Sequence, residues 1–126
     1  MSTPPTAFVA EWTRLWQLAQ RVAVAIEGEP GYVFEPVGLC LEDPTQARAW
    51  EYDATPVNAT TFASTGGDGV HFSVVNVADG ADAAPVVMTV PMVFDNPNHI
   101  LAGSLREFLA LGRWAGYFCL ERLAYG

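Results

Sequence analysis

Apolar residues at Phe8, Trp12, Leu15, Trp16, Ala19, Val22, Ala23 and Ile26 recur in steps of three and four. That spacing lays them on one stripe of a helix, while Glu11, Arg14, Gln17 and Arg21 fall elsewhere. Pro4 and Pro5 suit the first turn, and Gly28, Pro30 and Gly31 stop the pattern. The spacing predicts an N-terminal helix of about 20 residues, with Trp12 and Trp16 packed in the core.

The pattern then changes period. Tyr32 to Leu41 is rich in aromatic and β-branched residues and predicts a strand, with Pro36 marking an edge or a bulge. Glu42 to Pro56 is polar and predicts a loop, with a short helical turn around Thr45 to Ala49. Val57 to Thr65 and Val70 to Val77 predict two strands around Gly66-Gly67-Asp68-Gly69, since Asp-Gly between strand-forming runs suits a type I′ turn with positive φ at both central residues. Asp79 to Asp82 reads as a second turn, and Pro85 to Phe94 as a third strand. No connection among these three is long enough for a parallel crossover, so an antiparallel meander is expected. Val86 to Val90 is apolar at nearly every position, which predicts a central strand covered on both faces, by other parts of the chain or by a second copy.

Asp95-Asn96-Pro97-Asn98 predicts a loop. Ser104-Leu105-Arg106-Glu107 is a capping box opening a helix whose buried face is Leu105, Phe108 and Leu109. Gly112 and Gly116 interrupt it, and a helical pattern resumes from Tyr117, giving two short helices or one kinked helix. The whole predicts a single α+β domain over residues 1–126: an antiparallel sheet packed against an N-terminal helix and C-terminal helices.

Composition sharpens this picture. With 126 residues, 51% of them hydrophobic, the chain can bury one core and is not a disordered protein. Fourteen acidic residues against six arginines give a net charge of −8, so nucleic acid and anionic membrane surfaces are poor partners. No apolar run approaches the ~18 residues of a membrane span, and the N-terminus lacks a basic segment. A cytoplasmic protein is expected, which makes the sequon at Asn58-Ala59-Thr60 a coincidence. Cys40 and Cys119 lie far apart in apolar runs and read as small buried hydrophobes, with neither disulfide nor zinc spacing. No metal or cofactor is expected.

Two segments carry a family resemblance. Thr55 to Gly69, with Phe62-Ala63 and then Gly66-Gly67-Asp68, resembles the central hairpin of the SUKH superfamily, the Smi/Knr-like proteins. Ala102-Gly103-Ser104-Leu105-Arg106-Glu107-Phe108-Leu109 is similar to the start of that family's C-terminal helix. Where the family shows Leu-Pro-x-x-Tyr and Asn-Gly-Gly early on, this chain has Gly28-Glu29-Pro30-Gly31-Tyr32. The resemblance implies a non-enzymatic interaction domain, in bacteria often an immunity protein that binds and neutralises a toxin.

Local chemistry offers one competing reading. Asp68, His71 and His99 could together form an acid/base or ligand site, provided the fold brings them into one pocket. Against it, Asp and Gly are what the turn demands, two residues do not make a metal site, and no Gly-x-Ser-x-Gly elbow or phosphate loop is present. The Gly-Gly-Asp signature of cyclic-dinucleotide synthases also fails, because those domains need a longer α/β chain and further acidic residues. The acidic pairs Glu42-Asp43 and Glu51/Asp53 read as a solvated loop. Trp50, amid Arg48 to Asp53, and Trp114, beside Arg113, have polar neighbours like those of interface tryptophans. The expected function is protein binding through Trp50, Asp53, Asp68, His71 and Trp114, with a basic toxin domain as the partner that acidity favours. Monomer and homodimer both remain open.

Overall fold

The computed structural model describes residues 3–46, 55–56, 58–76, 84–113 and 116–125. Helix α1 spans Thr6–Ile26, with Phe8, Trp12, Ala19 and Ala23 buried. It ends two residues before the first glycine: Glu27 takes the left-handed conformation, and the Gly28 N–H closes onto the Ala23 carbonyl at 2.9 Å.

The strand expected over residues 32–41 is corrected by the structure. Pro30–Tyr32 and Glu35–Val37 are 3₁₀ turns, and only Cys40–Leu41 forms a strand, β1. Each turn has a proline in its first turn, where a fixed φ and a missing N–H favour a tight turn over a ladder. Gly38 at φ 83° then redirects the chain. Strands β2 (Ala59–Ser64) and β3 (His71–Val75) follow where hydrophobic patterning placed them. Strand β4 (Val86–Thr89) fills only the first half of the strand expected over 85–94, because the chain turns at Pro91, with Val93 N–H on the Val90 carbonyl at 3.0 Å. The β2–β3 turn has positive φ at Asp68 and Gly69, with Val70 N–H on the Gly67 carbonyl at 3.1 Å, as a type I′ turn requires.

A fifth strand, β5 (Asn98–Ala102), begins inside the segment expected to be a loop. The five strands pair antiparallel in chain order, so β4 lies between β3 and β5 with all four residues buried. The turn expected at 79–82 lies outside the described residues, as does most of the helical turn expected at 45–49. Helix α2 spans Leu105–Leu111; Ser104 Oγ accepts the Glu107 N–H at 3.1 Å. Glu107 reaches back one residue further than a capping box, to the Gly103 N–H at 3.2 Å. A 3₁₀ turn over Tyr117–Glu121 runs into the short helix α3, Arg122–Tyr125.

The aromatic core lies on one face of the sheet. A bulge in β2 sets both Phe62 and Ala63 opposite Phe72, and Phe62 meets Phe8 and Phe108 edge-to-face at 5.2 and 5.3 Å. Phe108 and Tyr117 close the core over Phe72. The other face differs in chemistry. One row crosses all five strands as Cys40, Ser64, His71, Thr89 and Asn98, and the next contains Thr61, Ser73, Val87 and Ile100. Its middle members Ser64, His71, Thr89, Thr61 and Ser73 are buried and polar. They bond one another and their neighbours, as in Thr61 Oγ1 to Ser73 Oγ at 3.0 Å and Thr89 Oγ1 donating to Asn98 Oδ1 at 2.6 Å.

Candidate functional site

His71 is wholly buried in this polar face. A carbonyl can only accept, so its Nδ1–H donates to the Gly69 carbonyl at 2.7 Å, and Nε2 accepts from Thr55 Oγ1 at 2.9 Å. Burial depresses its pKa and holds the imidazole neutral. Its ring presents no surface to a partner, which corrects its place among the binding residues.

His99 lies elsewhere. The register pairs His71 with Thr89, and His99 with Met88. Adjacent strand residues point to opposite faces, so the two histidines stand on opposite faces of the sheet. His99 Nε2–H is bound locally, to the Asn96 carbonyl at 2.9 Å. Asp68 is exposed at the turn. The joint site of Asp68, His71 and His99 is therefore not assembled, and no group of three potential metal ligands occurs among the described residues. Trp50, Asp53 and Trp114 lie outside the described residues.

What the fold does build is a cleft of about 630 Å³ where β1 and the β2–β3 turn meet the 3₁₀ segments. Cys40 and Ser64 from the polar row line it, together with Glu35, Glu42, Tyr32, Phe118 and the turn glycines Gly66 and Gly67. Asp68 follows these glycines in the chain. Glu42 is held by its backbone on both sides: its N–H donates to the Phe62 carbonyl at 2.8 Å, and its carbonyl accepts Trp12 Nε1–H at 3.0 Å. Glu35 opens the second 3₁₀ turn. Glycine at position 38 leaves room for the Phe118 ring, which a side chain there would strike at 2.8 Å. Tyr32 is 61% exposed and Phe118 50%, so two aromatic rings face solvent at an acidic cleft.

Cys40 reports the local field. Burial raises its thiol pKa, Glu35 and Glu42 raise it further, and a hydrogen bond with Ser64 opposes them. The thiol is protonated at neutral pH, which makes it a poor nucleophile. Neither cysteine is in a disulfide, and each is half-buried, where the sequence suggests enclosed hydrophobes. No arginine or histidine lines the cleft among the described residues. The arrangement therefore offers two carboxylates, two aromatic faces and a neutral thiol. Those groups suit a cation.

Tyr32 and Glu35 do not stand out as site residues because their segment reads as a strand, which would spread them along an extended chain, and Phe118 falls in the distant C-terminal helical pattern. The acidic excess was the available signal. No family model matches the chain, and neither a curated protein nor a solved structure matches it.

Proposed function

We infer that this protein is a non-enzymatic binding domain that takes a basic segment of a protein partner in the Glu35/Glu42 cleft. The carrying observation is the cleft itself, lined by two carboxylate residues and two exposed rings, with no cationic residue in its lining among the described residues. An arginine or lysine side chain would meet carboxylates at its head and aromatic faces along its stem. The net charge of −8 would speed the encounter with a basic partner. No helix among the described residues is long and apolar enough to cross a membrane. Within this reading, the resemblance to SUKH proteins favours a narrower role, neutralisation of a basic toxin domain by direct binding.

The test titrates the purified chain with a short arginine-glycine peptide and with a glutamate-glycine control, following binding and the alkylation rate of Cys40. The basic peptide should bind, slow Cys40 alkylation relative to Cys119, and weaken as salt rises. Glu35→Gln with Glu42→Gln should cut affinity about tenfold, or ~1.4 kcal/mol. Binding that ignores both carboxylates and leaves Cys40 unprotected would show that the basic segment sits elsewhere. For the narrower role, co-expression with a toxin domain encoded beside this gene should restore growth, and the double variant should lose that protection.

A further inference from the structure

The sheet has two edges of different character. At β1 the edge is two residues long, and the Pro30–Tyr32 turn lies against it so closely that a Cβ on Gly31 would stand 3.0 Å from the Leu41 carbonyl. That edge is covered. The β5 edge is not similarly short: five residues, Asn98 to Ala102, with no Asp, Glu, Lys or Arg and no proline. Pro97 stands just before it, and the nearest charges in the chain are Asp95 and Arg106. Natural edge strands usually carry charges or prolines as protection against pairing.

The hydrogen-bond phase of β5 can be read from its first contact. Val90 N–H donates to the Pro97 carbonyl at 2.8 Å. Stepping along the register, Thr89 faces Asn98, Met88 faces His99 and Val87 faces Ile100. Bonded and non-bonded pairs alternate in an antiparallel ladder, so His99 turns its backbone groups toward β4 and Ile100 turns its own off the sheet. The Ile100 side chain is 75% exposed although Val87, its neighbour on β4, is buried. In the turn feeding β5, Phe94 is 89% exposed and Met92 60%.

We propose that β5 pairs antiparallel with β5 of a second copy about a two-fold axis through Ile100, joining two five-stranded sheets into one. At the axis each Ile100 N–H donates to the Ile100 carbonyl of the other protomer, and the two side chains cover each other. The pairing is self-complementary because a strand rotated onto itself presents the same uncharged residues. It closes as a dimer because the β1 edge of each protomer is covered and cannot extend the sheet. The bulge opposite Val86 and Val87 ends the regular pairing beyond Ile100 and keeps the contact short. A second copy is favoured over an acidic or basic segment because the strand has no Asp, Glu, Lys or Arg to pair with an opposite charge, and Ile100 stands at its exposed centre.

Analytical ultracentrifugation of the full chain from micromolar to millimolar concentration should show a species at twice 13.6 kDa. Added salt should strengthen it, since each protomer carries −8; peptide binding in the cleft should respond to salt with the opposite sign. Ile100→Asp should give a monomer, with the wild-type melting midpoint at dilutions where the wild type is itself monomeric, because the side chain is mostly in water before pairing. In a Cys40→Ser, Cys119→Ser background, Ile100→Cys should crosslink to a covalent dimer on oxidation, as paired Cα atoms fall within disulfide range. Leu101→Cys should not. A monomer at every concentration, a dimer that survives Ile100→Asp, an assembly beyond two, or no Ile100→Cys crosslink would each overturn the proposal.

Discussion

His71 is a neutral imidazole fixed between the Gly69 carbonyl and the Thr55 hydroxyl, with no surface exposed to solvent. Its folded pKa lies below the unfolded value of 6.5, so the unfolded chain binds the extra proton first. The stability it protects is fully present above pH 6.5 and is lost as acidity increases toward the folded pKa. Urea midpoints measured from pH 7.5 to 5.5 should therefore fall, with a slope of at most ~1.4 kcal/mol per pH unit from this group. His71→Gln should be less stable at neutral pH and should flatten that slope; an unchanged slope would assign the acid response to other groups. The turn before His71 was legible because the Asp68-Gly69 preference is local. The bond to Thr55 was not, since it joins residues 16 apart whose meeting depends on the sheet being formed.

Helix α2 shows how an element can be specified at one end by sequence and at the other by packing. Its N-terminal signal, Ser104 with Glu107, is spelled out within four residues, and Ser104→Ala should cost about 1 kcal/mol. The residue that caps its C-terminus, Gly112, is at φ −87°, an ordinary value for any amino acid. A glycine-to-alanine change at such a φ usually stabilises, by about 0.4–1 kcal/mol. Here a Cβ would collide with the Tyr117 ring, whose hydroxyl is tied to the Leu109 carbonyl at 2.7 Å. Gly112→Ala should therefore destabilise by about 1–3 kcal/mol in chemical denaturation, the reverse of the backbone expectation. Helix α1, strands β2 to β4 and the α2 cap were legible because each has a period or motif of its own. The 3₁₀ segment hid behind strand-forming residues, and β5 behind Asn98, whose polar character fits both a loop and the outer face of an edge strand.

At the scale of the whole molecule, a charge of −8 works against compactness. Thermal midpoints should rise from low to moderate sodium chloride as repulsion is screened, and a flat response would show the carboxylates too dispersed to matter. The cleft was only partly legible: acidity suggested the chemistry of the partner, while the site's location depended on turns that bring Glu35 and Glu42 to one thiol. The polar row through Ser64, His71 and Thr89 has a different importance. Both faces of β3 and β4 are buried, so the contrast between oil and water cannot decide which side chains point which way. A slip of β3 by one residue would drive His71 among Phe62, Phe108 and Tyr117, and would leave Phe72 facing hydroxyls that had lost their partners. Each displaced polar group would then cost about 1–3 kcal/mol. The row therefore acts as a reading frame for the sheet, making one alignment of the strands distinguishable from its nearest error while the chain is still choosing.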